Sequence, residues 1–549
     1  MGLIRIETGD WLKNASLIGL LRVLDYKRKL NDKIIIEDEY IEFDSEMLQG
    51  FENAYFELLI SQHEKQLSWY KLVSYEDKLD VYLEDDKITI KSIESLNKII
   101  YNIKKLINSN SYVNGYLLLD DGEWIKLKEK ELNKIKFKKK DDPLKYKESL
   151  INQINVLKEI IHWFKKEDVK KVIKSKNVMY EIIQPFWGNV SIFLPANNQK
   201  NMYELYSKDF ILPAIKYIDS DKKKYKINCF TCNNKVKKTS KPEAFDLTWL
   251  TKIGVDMTKK TSHFWNMNGD AYICPICNLL YSCLPLGFIV IENKGIFINS
   301  NKSIKMLKQS NIVNVEYEDK KFEEIENLSY YNIINAMENL GIENIDKEID
   351  NIQVIKFNGN NGVRPYSFNI LSPKILKVLY YHRKNMNSLV KVFVKITDKY
   401  SLNIYDEVIT RIYAGKNLFD LIHQLIILYL DKDRFKSLFI INIILKINTS
   451  ILGGKNMRQE DINRYMSYGN VLREAYLRKN AESKLTGITY RLLNSIKTKD
   501  YGKFMDTIIN SYMYMKIEIP NKIAVALKDS EKLQSIGYAF VLGLQGEKE

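Results

Sequence analysis

Hydrophobic spacing near the N-terminus predicts one helix followed by strands. Leucines at positions 17, 20, 21 and 24 recur at helical spacing and predict an amphipathic helix within residues 9–24. Three alternating runs follow, and such runs are typical of strands joined as hairpins. They cover residues 33–43, 78–91 and 115–127, with turns in the last two at Asp85-Asp86 and Asp121-Gly122.

The middle of the chain combines a basic helix with further strand-like segments. Residues 144–176 predict one basic helix, with an apolar stripe made of Ile151, Ile154, Leu157, Ile161 and Phe164. Residues 178–195 are apolar and aromatic, which favours a strand. Residues 288–298 predict a hairpin that turns at Asn293-Lys294-Gly295.

Strand patterns stop after Leu371, where helical periodicity dominates and only Pro373 and Pro520 remain. We therefore expect residues 371–549 to form an all-α helical bundle. The predicted fold class is α+β, with a large mixed N-terminal body, a cysteine-bearing insertion and this C-terminal bundle. The expected boundaries are 1–221 and 284–370 for the body, 222–283 for the insertion and 371–549 for the bundle.

The composition indicates a globular protein with a polyanionic partner. Its 549 residues exceed what one core usually supports, and 84 Lys and Arg against 69 Asp and Glu give a net charge of +15. Residues 34–64 run against this trend, with nine acids and no Lys or Arg, and predict a solvated acidic surface or a contact with a basic protein. No segment resembles a targeting signal or a membrane span, so we expect a cytoplasmic protein with no membrane partner.

The cysteines form the strongest chemical pattern. Cys229 and Cys232 make one CxxC pair, and Cys274 and Cys277 make a second one, 41 residues further on. Two-residue gaps let both thiolates of a pair face one ion, and two pairs complete a tetrahedral site. The separation exceeds that of a compact zinc ribbon and requires an insertion between the pairs. Unliganded thiols are the alternative, while a redox dithiol would leave the second pair unexplained.

We therefore expect residues 222–283 to be an inserted zinc-binding region with four cysteine ligands. Four protein thiolates leave no open coordination position, so the predicted Zn²⁺ is structural. Cys283 lies among leucines and is predicted to be a buried core thiol, and His263 is an outside candidate ligand. Residues 222–241 hold eight Lys and no acid, so Lys235, Lys237 and Lys238 are candidates for phosphate contacts or for a solvated loop.

Catalytic signatures are missing from the sequence. It has no His-Asp doublet, Gly-Gly-Asp-Asp motif, phosphate-binding loop, GxSxG or HExxH motif, which favours a binding protein over an enzyme. The alternative is a zinc-containing nuclease with an unrecognised active site. Its candidate acids, Asp85-Asp86 and Asp120-Asp121, lie at predicted turns, where turn propensity already explains them.

The chain resembles the large subunit of type I-B CRISPR Cascade complexes, in the branch that carries a zinc knuckle. The resemblance rests on residues 9–24 (Gly-Asp-Trp-Leu-Lys-Asn-Ala, then Gly-Leu-Leu-Arg-Val-Leu) and on residues 189–195 (Asn-Val-Ser-Ile-Phe-Leu-Pro) with an Asn-rich sequel. The paired CxxC motifs and the helical C-terminus also match. The resemblance implies binding near the 5′ end of the crRNA, recognition of the PAM in duplex DNA, contact with the displaced strand and recruitment of a separate helicase–nuclease. The implied partners also include the Cascade backbone and small subunits.

Recognition of a PAM requires side chains that approach a DNA groove, which favours loops with amide and basic side chains. Two segments fit: Asn197, Asn198, Gln199 and Lys200 after Pro195, and Asn358, Asn360 and Asn361 with Arg364. Asn-rich loops are also common in proteins from AT-rich genomes, so either loop could instead be free of function.

Gly453-Gly454-Lys455-Asn456 precedes Met457 and suggests an internal translation start. If Gly-Gly is encoded GGAGGN, a ribosome-binding sequence stands at workable spacing before the Met codon. The product would be a small-subunit-like unit over residues 457–549. An ordinary Gly-Gly helix break is the alternative.

Overall fold

The computed structural model describes most of the chain. It leaves out residues 1, 28–33, 85–87, 139, 141, 189, 238–248, 250–271, 301, 313–319, 340–351, 363, 398, 432–434, 454–457, 524–529 and 547–549. The chain divides into two compact units. Unit 1 comprises residues 1–322 and 352–368, and unit 2 comprises residues 323–351 and 369–549.

The described residues of unit 1 form three small sheets, and the strand pairs whose register is resolved are antiparallel. The first has the order β1 (Leu3–Glu7), β3 (Tyr40–Asp44), β2 (Ile34–Ile36), and a second pairs β4 (Ile227–Asn228) with β5 (Lys235–Val236). The third follows the order β6 (Ile289–Ile291), β7 (Lys294–Asn299), β8 (Ile352–Asn358), β9 (Tyr366–Leu371). In the β7–β8 ladder Phe297 lies opposite Ile355, and both side chains are buried.

Helices make up most of unit 1. They are α1 (Trp11–Lys27), α2 (Phe51–His63), α3 (Ser68–Val73), α4 (Tyr75–Glu84), α5 (Ile90–Ile107), α6 (Asn110–Tyr116), α7 (Gly122–Glu131), α8 (Lys147–Phe164), α9 (Glu167–Asn177), α10 (Met202–Tyr206), α11 (Leu212–Ile218), α12 (Pro275–Ser282), α13 (Leu284–Gly287) and α14 (Ile304–Ser310). Two π-helical segments, Val178–Ile183 and Ser207–Ile211, extend α9 and α10. Helix α1 is buried on nearly every face, so the predicted helix is present but is central rather than amphipathic.

Two hairpin predictions in unit 1 are confirmed and two are wrong. The hairpins expected over residues 33–43 and 288–298 form at residues 34–44 and 289–299. The second one turns at Glu292 and Asn293, both at positive φ, one residue before the expected Asn293-Lys294-Gly295, because Lys294 and Gly295 pair with β6 as part of β7. Residues 78–91 and 115–127 are instead mainly helical, with Asp121 as the residue before α7 and with Asp85-Asp86 outside the described residues. The expected strand over residues 178–195 is also wrong, since π- and 3₁₀-helical turns form there. The basic helix over 144–176 is divided between α8 and α9.

Unit 2 is mainly helical and confirms the predicted helical C-terminal region. It contains α15 (Phe322–Asn339) from its second residue onward, then α16 (Pro373–Tyr381), α17 (Arg383–Leu389), α18 (Ile404–Tyr413), α19 (Phe419–Leu430), α20 (Leu438–Ile451), α21 (Gln459–Arg478), α22 (Ser483–Thr498), α23 (Tyr501–Met515) and α24 (Ser530–Gln545). A hairpin of β10 (Phe393–Thr397) and β11 (Tyr400–Asn403) interrupts it, so the expectation of no strands after Leu371 is wrong here.

The last four helices pack mainly on one another. Helices α21 and α24 cross closely because Gly469 and Gly543 lie in the contact, where a Cβ at Gly469 would stand 2.1 Å from the Phe540 carbonyl oxygen. Residues 454–457, which include Met457, lie outside the described residues. Among the helices described, none combines the length and the apolarity that crossing a membrane requires.

Candidate metal centre and nucleic-acid loops

The first cysteine pair lies on the turn between β4 and β5. The Cys229 N–H donates to the Asn234 carbonyl at 2.7 Å, and the Asn233 N–H donates to the Cys229 carbonyl at 2.9 Å. Asn233 has a φ of 60°, a left-handed conformation that Asn tolerates better than most residues. This tight turn directs both Cys229 and Cys232 to one side.

The second cysteine pair begins helix α12. Cys274 is the N-cap residue, and its Sγ accepts a hydrogen bond from the Cys277 N–H at 3.4 Å. Pro275 occupies the first turn of the helix, where its missing N–H costs nothing. The Cys274 N–H donates to the Cys229 Sγ at 3.2 Å, which joins the two pairs.

The geometry of the four sulfur atoms fits a metal ion such as zinc. All four Sγ atoms lie within 4.8 Å of one another, and those of Cys232 and Cys274 are 3.6 Å apart. A tetrahedron with Zn–S bonds of about 2.3 Å has edges of roughly 3.8 Å, so little adjustment is needed. Cys229, Cys274 and Cys277 are buried, which leaves only Cys232 partly accessible.

The electrostatics of the cluster also favour a cation. Hydrogen bonding from Cys232 lowers the pKa of the Cys229 thiol, whereas the contact with Cys229 raises the pKa of Cys274 and Cys277. Ionising Cys229 therefore opposes ionising Cys274 and Cys277. A divalent cation removes this repulsion and permits four thiolates at once.

The structure describes some, but not all, of the other residues that the sequence singles out near the cysteines. Cys283 is fully buried, as predicted, and burial raises the pKa of its thiol to about 12. Lys235, on β5, and Lys237 have exposed side chains beside the cysteine turn. Lys238 and His263 lie outside the described residues.

The first candidate loop comprises residues 191–201 and is called here the proline loop. Its amide groups are engaged within the protein: the Asn197 Nδ2 donates to the Ser191 carbonyl at 2.7 Å, and the Asn198 Oδ1 accepts from the Tyr180 hydroxyl at 3.1 Å. Gln199 and Lys200 have exposed side chains. The structure thus separates the four candidate residues into two that hold the loop and two that face solvent.

Three buried or half-buried side chains outside the proline loop support it. Lys176 donates to the Asn198 carbonyl at 2.8 Å and to the Lys200 carbonyl at 3.4 Å. Asp209, on the second π-helix, accepts from the Ser191 hydroxyl at 2.5 Å and from the Ile192 N–H at 3.2 Å. Sequence reasoning missed Lys176, Tyr180 and Asp209, because neither π-helix nor these pairings leave a periodic signal in the sequence.

The second candidate loop comprises residues 358–364 and is called here the glycine loop. The Asn358 Oδ1 accepts from the Asn360 N–H at 3.1 Å, and the Asn361 Oδ1 accepts from the Arg364 N–H at 3.3 Å. The side chains of Asn358, Asn360, Asn361 and Arg364 are all exposed. The described side-chain hydrogen bonds of this loop therefore lie within the loop itself.

A basic, aromatic groove lies in unit 2 between α22 and α23. Its volume is about 350 Å³, and its described lining includes Lys484 and Arg491 but no Asp or Glu. The Tyr476 and Tyr514 rings stack at its rim with centroids 5.8 Å apart, and the Lys484 Nζ lies 4.0 Å from the Tyr514 ring centroid. A hydrogen bond from Lys484 lowers the pKa of Tyr514.

The acids considered for a nuclease do not assemble around a second centre in the described residues. The Asp121 Oδ2 accepts from the Trp163 Nε1 at 2.9 Å and pairs with the Lys166 Nζ at 2.7 Å. The cysteine cluster is the one group of three or more Cys, His, Asp or Glu side chains that the described residues bring within metal-binding distance. Asp121 therefore has a local structural role.

Comparison with known proteins adds one match, at this same region. Residues 221–289 match a family described as CRISPR-associated protein (Cas_CXXC_CXXC). The match indicates a CRISPR-associated protein with a four-cysteine cluster. It covers both CxxC pairs, β4, β5 and α12, and it includes neither of the two candidate loops. No curated protein and no solved structure matches the chain.

Proposed function

We propose that this chain is the large, non-catalytic subunit of a crRNA-guided Cascade complex in antiviral defence. The observation that carries the proposal is the CRISPR-associated match over a region whose four cysteines meet in space. The net charge of +15 and the exposed basic side chains beside the cluster suit a partner rich in phosphate. The proposed partners are crRNA, target duplex DNA, the Cascade backbone and small subunits, and a separate helicase–nuclease.

The proposed metal ion is Zn²⁺ in a structural role. When bound, it would be held by Cys229, Cys232, Cys274 and Cys277 and would tie the β4–β5 turn to the first turn of α12. The neighbouring Lys235, Lys237 and Lys238 would offset the negative charge of the thiolates and contact nucleic-acid phosphates.

The proline loop is the proposed PAM-contacting segment, and the glycine loop is the alternative. The proline loop is favoured because its backbone is fixed by Lys176 and Asp209 while Gln199 and Lys200 face solvent. Preorganisation lowers the entropic cost of binding, so a fixed loop discriminates between DNA sequences more sharply.

The groove between α22 and α23 is the proposed contact for the displaced DNA strand. The half-exposed Tyr514 ring and two cations, with no Asp or Glu in the described groove lining, suit the bases and phosphates of a single strand. Replacing Tyr514 by Ala should weaken single-strand binding by roughly 5- to 160-fold, since stacking on one aromatic ring contributes about 1–3 kcal/mol. Lys503→Ala, at an exposed site on α23 outside the groove lining, is the matched control.

The test of the proposed function is purification of the C-terminally tagged chain from its native operon. A defined small RNA, co-purifying partner subunits and binding of PAM-bearing duplex are expected. A bare protein without RNA or partners would contradict the proposal, and metal-dependent DNA cleavage by the pure chain would favour the nuclease alternative. A second tagged species that begins at Met457 would support the internal start, and its absence would remove that part alone.

A further inference from the structure

We propose that Gln199 is the base-contacting residue of the proline loop and that Asn197 and Asn198 are positioning residues. The inference rests on the proposed function, because it assigns roles within the proposed PAM-contacting segment. It reverses the simplest interpretation of the sequence, in which all three amides are equal candidates for reading base edges.

Asn197 and Asn198 are committed to the fold of the loop. The Asn197 amide donates to the Ser191 carbonyl, which closes the loop across residues 191–197. The Asn198 side-chain Oδ1 accepts a hydrogen bond from the Tyr180 hydroxyl, and Tyr180 also contacts Phe193 edge-on with ring centroids 5.9 Å apart. Turning either amide toward DNA would break a hydrogen bond inside the protein and leave its partner unpaired.

Lys176 fixes the backbone on both sides of Gln199. Lys176 is only 1% exposed, and its ammonium group donates to the carbonyls of residues 198 and 200, the two neighbours of Gln199. Burial without a paired carboxylate lowers the pKa of Lys176 to about 8. A buried cation is costly unless it is hydrogen-bonded, so the Lys176 ammonium group favours the backbone path that keeps these two carbonyls within its reach.

Asp209 fixes the other end of the loop. Its two carboxylate oxygens accept from the Ser191 hydroxyl at 2.5 and 2.6 Å, and one of them also accepts from the Ile192 N–H. The segment between these two anchors presents residues 194–196 (Leu-Pro-Ala) to solvent, and Leu194 is 51% exposed. The tip is therefore apolar, and the exposed Gln199 and Lys200 follow it closely in the sequence.

This arrangement matches the chemistry of a DNA groove. A Gln amide can donate to and accept from one adenine edge, and a Lys pairs with phosphate. Apolar side chains such as Leu and Pro contact bases without hydrogen bonds, and some proteins insert them between base steps. Among the described residues, Gln199 and Lys200 have no side-chain partner that would have to be released first.

The test compares Gln199→Ala with Asn198→Asp in the assembled complex. Affinity is measured for duplexes with the PAM and with a permuted PAM, and their ratio is the readout. Gln199→Ala should reduce this ratio roughly 5- to 160-fold, the range for one bidentate base contact of about 1–3 kcal/mol. Asn198→Asp keeps the acceptor for Tyr180 and should leave the ratio within about threefold. The added carboxylate repels both duplexes equally, so this repulsion does not change the ratio of the two affinities.

Two further variants separate positioning from reading. Tyr180→Phe removes only the hydroxyl that Asn198 accepts and should lower the ratio less than Gln199→Ala does. Asn198→Leu removes the acceptor and should lower the ratio even though it adds no charge. Retention of crRNA and an unchanged melting temperature identify variants that remain folded and assembled.

The outcomes are distinguishable. Loss of PAM preference in Asn198→Asp with none in Gln199→Ala would overturn the inference. An unchanged ratio in every proline-loop variant, with loss in Arg364→Ala, would also overturn it and would place the reader in the glycine loop while the proposed function stands. A wild-type complex without PAM preference would contradict the proposed function itself.

Discussion

The two Asn-rich loops have similar compositions and different structural support. The proline loop is held by side chains from outside it, namely Lys176, Tyr180 and Asp209. The described side-chain hydrogen bonds of the glycine loop are internal, such as the one from the Arg364 N–H to Asn361, while the Gly359 N–H donates to the Asn293 carbonyl at 2.7 Å. Side chains from other segments therefore anchor both ends of the proline loop, whereas the long-range hydrogen bond of the glycine loop is a backbone one near its start. Composition alone therefore cannot rank two such loops as binding sites.

The cysteine cluster is connected to the proline loop. Helix α12 starts at Cys274, and its Asn278 Nδ2 donates to the Asp209 carbonyl at 3.4 Å. The last residue of α12 accepts from the Trp187 Nε1 at 3.3 Å, and Trp187 packs edge-on against Phe193 of the proline loop. The cluster is thus connected through α12 to both the anchor and the core of this loop.

The largest expected effect follows removal of the proposed metal ion or of one of its cysteine ligands. Cys274→Ser, or treatment with a chelator, should unfold the β4–β5 turn and the start of α12, because metal binding and folding are coupled at such sites. Amide hydrogen exchange should then accelerate by about tenfold or more in the proline loop and much less in the glycine loop. Mass spectrometry of exchanged peptides measures both loops in one sample.

The matched control for this prediction is Cys283→Ala, which removes a buried thiol outside the cluster. It should lower overall stability slightly and leave the exchange rates of both loops similar to those of the wild type. Equal acceleration of both loops in Cys274→Ser would remove the proposed connection through α12.

A smaller effect is expected from Asp209→Ala. This change leaves the Ser191 hydroxyl and the Ile192 N–H without their acceptor and should cost about 1–3 kcal/mol in the free energy of unfolding. Asp209→Asn keeps an acceptor and should cost less, since burial raises the pKa of Asp209 and so disfavours its charged form. Chemical denaturation measures both variants.

Asn361→Ala in the glycine loop is the variant to compare with Asp209→Ala. It removes one exposed acceptor and should cost no more than about 0.5 kcal/mol. If Asn361→Ala lowers the free energy of unfolding as much as Asp209→Ala does, the side-chain anchors of the proline loop are no stronger than the internal side-chain hydrogen bonds of the glycine loop. That result would contradict the comparison.

The smallest effect concerns pH and Lys176. Its folded-state pKa of about 8 lies below the ordinary value of 10.5, so the unfolded chain binds more protons between these values. The Lys176 contribution to stability should therefore rise as the pH rises from about 8 to 10.5. The free energy of unfolding of Lys176→Met should be at least as large as that of the wild type near neutral pH. The difference in this free energy between the variant and the wild type should become smaller as the pH rises from about 8 to 10.5, as measured by denaturation curves. Lys171→Met, at an exposed position on the same helix, should give no such narrowing.

Local sequence signals predicted only part of this fold. The hairpin at residues 289–299 was predictable because Asn293 tolerates positive φ, but its turn lies one residue earlier than predicted because Glu292 also adopts positive φ. Asp121-Gly122 was misinterpreted as a hairpin turn because Asp is favoured both at turns and before helices, and here it precedes α7. The segment after α9 has strand-forming residues, but packing of Val178, Met179 and Ile183 into the core keeps it helical.

The candidate sites show the same limit. Four cysteines at CxxC spacing could be expected to meet, because the motif itself brings each pair to one side of a turn. The roles of Lys176, Tyr180 and Asp209 could not be predicted, because each depends on a contact between segments that the sequence does not relate. The exposure of the tip of the proline loop could not be predicted either, because it depends on these same contacts.

The most direct measurement places a photoreactive amino acid at Ala196 in the proline loop or at Asn360 in the glycine loop, both exposed. Each assembled complex is then irradiated with duplex DNA that carries the PAM or a permuted PAM. We predict PAM-dependent crosslinks from position 196 and few, PAM-independent crosslinks from position 360. PAM-dependent crosslinks from position 360 with none from position 196 would contradict the account.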